Sequence, residues 1–181
     1  MIGAAARAWA VIAARGGTGE ELLAVFDALP PVSVAEVLGR WRGRVLASGH
    51  PWDGLLERFG WHGKAFDGPE EAHPLLCRSR GGKLFALNPS LVPVPLLRRY
   101  PGLLGGPVAG RLFGLAGRAA ATRRPAARLR MVEHRGVVSA AMIYDDLPII
   151  DAFRGVDADT LLGVMDMRGM PQPFFFVLRR E

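Results

Sequence analysis

Few residues in this chain could do chemistry, and their spacing suits few reactions. His50, His62, His73 and His134 fall at none of the intervals at which a helix or tight turn presents metal ligands, and Cys77 is the single cysteine, so a zinc site has no support. Ser79, Ser90 and Ser139 lack the glycine-flanked strand-to-helix turn of a hydrolase nucleophile. The remaining candidates are carboxylates: Asp145, Asp146, Asp151, Asp157, Asp159 and Asp166. Two carboxylates held together can exchange a proton with a substrate. Asp145 and Asp146, just before Leu147-Pro148, read as turn formers. Asp151 and Asp166 stand inside runs that read as strands, where aspartate is disfavoured. They are expected to be buried and paired with Arg154, Arg168 or Lys64, and an enzyme using one of them as a base is the alternative. The balance favours a binding protein over an enzyme.

The elements that must position these residues are mostly strands. Around Trp41 the chain alternates: Trp41, Gly43 and Val45 point one way, and Arg40, Arg42 and Arg44 the other. One face is apolar and the other cationic, as in a half-buried antiparallel strand. Burying one Trp removes roughly 150–250 Å² from water, an upper bound of about 4–6 kcal/mol. A Ser33-to-Glu36 capping box precedes this strand, and a Thr18-to-Glu21 box opens a helix that Pro30-Pro31 ends. Residues 4–15 also read as a helix, because arginines interrupt their apolar run and argue against a secretory signal. Further strands are expected at 61–66, 75–79, 83–87, 128–135, 136–144, 149–153, 160–167 and 174–180, with turns at Asp67-Gly68-Pro69, Arg80-Gly81-Gly82 and Val156-Asp157-Ala158-Asp159. Prolines at 89, 93, 95, 101, 107 and 125 interrupt the pattern, leaving a long glycine-rich, arginine-rich insertion with room for a helix from Val108 to Ala121. The expected fold is mainly β: an antiparallel barrel of about eight to ten strands behind short N-terminal helices. In domain terms, residues 1–30 form a helical segment and 31–181 one barrel, whose 89–126 stretch is a lid or insertion.

The formal net charge is +6 and is unevenly spread. No acid occurs from Ala72 to Val132, where Arg98, Arg99, Arg111, Arg118, Arg123 and Arg124 accumulate. A basic segment with apolar residues between its arginines fits an anionic lipid surface, at about 1 kcal/mol per arginine near the headgroups. It carries few aromatic rings to stack on bases, so nucleic acid is not expected as a partner. A lone cysteine fits a reducing compartment, so a cytoplasmic location is expected, membrane-associated where the basic segment meets lipid. No apolar run reaches the roughly 20 residues of a membrane span.

The motif Gly39-x-Trp41-x-Gly43, followed by Gly49-His50-Pro51 and Gly60-Trp61-His62-Gly63-Lys64-x-Phe66, resembles the bacterial family known for its GXWXG motif. The tail resembles the domain of unknown function that accompanies it, through Met142-Ile143-Tyr144-Asp145, Pro148-Ile149-Ile150-Asp151-x-Phe153-Arg154, Leu162-Gly163-x-Met165-Asp166 and Phe174-Phe175-Phe176-x-Leu178-x-Arg180. A short helix leading into Gly-x-Trp on the first strand is also similar to lipocalins, and Gly-x-Trp-x-Gly to nitrobindin-type barrels. That resemblance implies a Trp closing one barrel end, with Arg180 or Arg179 packed on its ring.

A barrel of about eight strands can enclose one small ligand. The expected function is non-enzymatic binding of a hydrophobic ligand, a fatty acid or phospholipid, inside the barrel. The expected contacts are Trp41, Trp61, His62, Lys64, Met142, Tyr144, Asp151, Phe153, Met165 and Phe175, with small Ser139, Ala140 and Ala141 leaving room. The same side chains could instead simply fill a core. Resemblance to nitrobindin-type barrels implies haem as the alternative ligand, with His134 or His62 on the iron.

Overall fold

Period-two alternation decides the architecture. In the computed structural model, which describes residues 3–79, 81–94, 99 and 120–181, β1 (Gly39–Leu46) buries Trp41 and Val45 and exposes Arg40 and Arg42. Arg44 departs from the expected row of solvated cations: it is half-buried and donates to the Ile12 carbonyl of α1 (Ala4–Ala14). The other strands are β2 (Trp61–Gly68), β3 (Glu71–Arg78), β4 (Leu84–Leu87), β5 (Ala121–Thr122), β6 (Ala127–His134), β7 (Val137–Tyr144), β8 (Ile149–Asp157), β9 (Thr160–Met167) and β10 (Met170–Arg180). They run in the order β2-β1-β10-β9-β8-β7-β6-β3-β4-β5, and β3 also pairs with β2. Eight strands therefore close into an antiparallel barrel, and β4 and β5 extend from β3 as a flap. Of the expected lid, residues 95–98 and 100–119, with Arg98, Arg111, Arg118 and most of the helix from Val108, lie outside the described residues; Ala121, expected to end that helix, belongs to β5.

Several strands run longer than their residue types suggest. β8 continues through Gly155 to Asp157 where a turn was expected, by shifting register against β9 between those two residues. β10 starts at Met170 and absorbs Pro171 and Pro173 in an irregularity before Phe174.

Two cores share the barrel wall. The inner one holds Trp41, Phe66, Met142, Phe153, Phe176 and Leu178. The outer one lies where α1 and α2 (Gly19–Ala28) cover β8–β10, packing Ile12, Leu22 and Phe26 on Leu162, Phe175 and Val177. Phe175, expected to face the interior, thus lies on the outer face. The reason is parity: Trp41 is opposite Arg180 and Val45 opposite Phe176, so the even-numbered residues of β10 face inward with Trp41.

One barrel end is plugged. The Trp41 indole is fully buried and donates from Nε1 to the Val37 carbonyl at 2.8 Å, at the end of α3 (Val34–Val37). The Arg180 guanidinium lies 4.2 Å over the indole ring and donates to the carbonyls of Leu38 and Glu36. Arg179 points outward, over Trp9. The two motif glycines have separate tasks. Gly39 has φ +114°, a conformation open mainly to glycine, while Gly43 leaves the space that the Trp61 ring fills: a Cβ there would stand 2.2 Å from the ring. Ser139 and Ala140 do not leave a void. The chain before α3 threads beside them, Ala140 N–H donating to the Val32 carbonyl and Ser139 Oγ to the Phe153 carbonyl at 2.7 Å.

Trp41→Ala should lower unfolding stability by about 3–5 kcal/mol, read as a shift of the urea midpoint at unchanged slope. Gly43→Val should cost about 1–3 kcal/mol by overpacking, and the loss in Gly43→Val with Trp61→Ala should be smaller than the sum of the single losses.

Candidate functional site

The register that sets Trp41 against Arg180 sets Leu46 against Phe175, so Phe174 and its β9 neighbour Met165 lie toward the end away from the plug. There the barrel holds a cavity of about 90 Å³. Its wall is apolar: Trp61, Met165, Phe174 and Phe176 from the barrel, and Trp52, Leu55, Leu56 and Phe59 from the loop and short helix α4 (Leu55–Arg58) after β1. Leu87, Pro89, Val92 and Val94 close it from β4 and the 3₁₀ turn Pro89–Leu91. The loop is set by Asp53, whose Oδ2 accepts from the backbone N–H groups of Ser48, Gly49 and His50, and by Trp52 N–H donating to His50 Nδ1.

A buried polar cluster interrupts this wall. Lys64 Nζ donates to Asp151 Oδ2 at 2.7 Å and to the Pro74 carbonyl at 3.3 Å. Lys64 stands on β2 and Asp151 on β8, four steps apart around the eight-strand ring in either direction, so the pair spans the barrel. Aromatic faces surround the ammonium, with Phe176 at 4.8 Å, Trp61 at 5.7 Å and Tyr144 at 5.9 Å from the ring centres. Burial pushes the Asp151 carboxyl above the ordinary carboxylate range, against the opposing pull of Lys64. Burial first, and then the Asp151 charge, push the Tyr144 hydroxyl well above the usual phenol range. Asp151 Oδ1 makes no hydrogen bond, nor do the indole N–H groups of Trp52 and Trp61. Cys77 also lines the cavity, but burial pushes its thiol up to about 12, so it is a neutral wall group rather than a nucleophile.

Of the residues singled out in the sequence, Trp61, Lys64, Tyr144, Asp151 and Met165 meet at this cavity. Met142 and Phe153 are fully buried in the inner core, away from the cavity wall, and Trp41 is the plug. His62 is held between Arg78, which donates to its Nδ1 at 3.1 Å, and Glu181 Oε1, 2.7 Å from its Nε2. His134 sits edge-on to Phe26, outside the barrel. Among the described residues no histidine lines the cavity, so neither His62 nor His134 fits as an iron ligand there. Asp166, expected to be buried, is exposed. The expected choice of partners for Asp151 resolves to Lys64; Arg154 is buried elsewhere, over Phe26, donating to the carbonyls of His134 and Phe153.

Residues 24–82 match the family described as GXWXG protein, and residues 125–180 match the domain of unknown function DUF4334. A crystal structure of a protein from Thermomonospora curvata matches with a TM-score of 0.73 and 34% sequence identity, over 98% of each chain. This chain belongs to the GXWXG family. No curated protein matches it. The GXWXG motif contributes to the cavity only through Gly43, which seats Trp61; the polar cluster comes from the strand after the motif and from the DUF4334 half.

In this GXWXG protein, Lys64→Met should destabilise by about 3–5 kcal/mol, because it leaves a buried carboxylate uncompensated. The folded pKa of Asp151 already lies above the ordinary value of 3.8 and rises further without Lys64. A raised folded pKa gives a stability contribution that is full below the unfolded value and lost as pH rises through the folded one. The Lys64→Met deficit should therefore shrink as pH falls toward 4, and the double variant Lys64→Met/Asp151→Leu should regain most of the loss at neutral pH. Urea titrations across this range measure both.

Proposed function

We propose that this GXWXG barrel is a non-enzymatic binding protein for a hydrophobic small molecule of the lipid kind, with an apolar part of the ligand lying in the barrel cavity. The carrying observation is an apolar cavity inside a closed, plugged barrel, in which the charges present already neutralise each other. Asp151 is joined to Lys64 through Oδ2, the structural pairing that lets a buried carboxylate and a buried ammonium coexist. The volume bounded by the described residues suits a single ring or a short stretch of acyl chain. A fatty acid or phospholipid would leave the rest of its length and its headgroup outside. Exposed Arg123 and Arg124 beside β5, which pairs with the Leu87 end of β4, support contact with an anionic lipid surface. No described helix is long and apolar enough to cross a membrane.

Solvent extraction of the purified protein followed by mass spectrometry should identify a co-purified hydrophobic compound, and a fluorescent fatty acid should be taken up saturably. Repeatedly empty protein without uptake would overturn the reading. Co-sedimentation with phosphatidylglycerol vesicles should exceed that with phosphatidylcholine and weaken as salt is raised.

A further inference from the structure

Resting on the binding reading, we infer that the cavity selects an uncharged, hydroxyl-bearing hydrophobic molecule over a carboxylate. Lys64 is a cation in the cavity wall, but its hydrogen bonds go to Asp151 Oδ2 and the Pro74 carbonyl, and the aromatic faces of Trp61, Tyr144 and Phe176 surround its nitrogen. Its charge is already balanced by Asp151, which would repel a second carboxylate brought beside it.

The unused hydrogen-bonding capacity of the wall has a different pattern. Asp151 Oδ1 is a buried acceptor without a donor within hydrogen-bond distance, and the Tyr144 hydroxyl lies beside the same carboxyl and interacts with it. The indole N–H groups of Trp52 and Trp61, in the same wall, are buried donors without an acceptor. Buried polar atoms are nearly always satisfied, so an orphan acceptor and orphan donors around one cavity describe the guest that completes them. A hydroxyl supplies both parts: its hydrogen goes to Asp151 Oδ1 and its oxygen accepts from an indole N–H. A hydrocarbon supplies neither, and a carboxylate supplies no hydrogen. Sites built to hydrogen-bond a hydroxyl reject the analogue lacking it, because their own groups are then left unpaired.

Calorimetric titration of the intact protein at pH 7.5 with p-cresol, p-xylene and p-toluate compares hydroxyl, methyl and carboxylate on the same ring. The cresol should bind about tenfold more tightly than the xylene, as one hydrogen bond to a charged acceptor allows, and the toluate most weakly. The cresol's advantage should vanish in Lys64→Met/Asp151→Leu; if that variant fails to fold, the wild-type series alone decides. Xylene binding as tightly as cresol, toluate binding most tightly, or an advantage that persists in the folded double variant would overturn the inference while leaving hydrophobic binding intact. Absence of binding by all three would overturn the hydrophobic-binding reading itself.

Discussion

A lysine and an aspartate joined across the inside of a barrel are the constraint on which this structure turns. Both ions have left water, and each would be strongly destabilising alone. They coexist because Lys64 Nζ sits 2.7 Å from Asp151 Oδ2, takes a second acceptor from Pro74, and lies among aromatic faces. The pair joins opposite walls and so fixes how far β2 and β8 stand apart. It also sets the electrical character of the cavity: polar at one place, yet without net charge.

The opposite end has a simpler logic. Trp41 fills it, α3 takes its indole hydrogen bond, and Arg180 lies across the ring with two carbonyls holding its guanidinium. Arg180 also meets the exposed Asp159 carboxylate, 3.3 Å from its Nε, while main-chain carbonyls and the indole face hold its guanidinium over the plug. With that end closed and the pair braced across the middle, the cavity bounded by the described residues lies at the end roofed by α4 and the 3₁₀ turn.

Much of this was legible in the chain itself. Alternation around Trp41 and the Ser33 capping box marked the first strand and the helix before it, and the placing of Arg180 or Arg179 over Trp41 came from the motif resemblance. The same placing held information left unused. If Arg180 covers Trp41, parity along β10 turns Phe174 and Phe176 inward and Phe175 out beneath the helices. Asp151 stood out because aspartate is disfavoured within a strand, but the identical argument misplaced Asp166, which occupies an outward position of β9. Nothing local could choose Lys64 over Arg154 as the partner of Asp151, since that pairing joins residues 87 apart and depends on closure of the whole ring. The roof formed by Trp52, Phe59 and Val92 was equally hidden, because it comes from loops and short turns without periodicity.

The rings resting on glycines have a consequence for the bore of the cylinder. Trp61 occupies the space above Gly43, and Phe176 that above Gly163, where a Cβ would stand 2.2 Å from the ring in each case. Each ring is a removable spacer, because its seat is bare backbone and its far face borders the void. Exchanging either for a shorter side chain would enlarge the chamber by a fixed increment while the hydrogen-bonded wall keeps its shape. One scaffold could thus be gauged to guests of graded size by two positions alone.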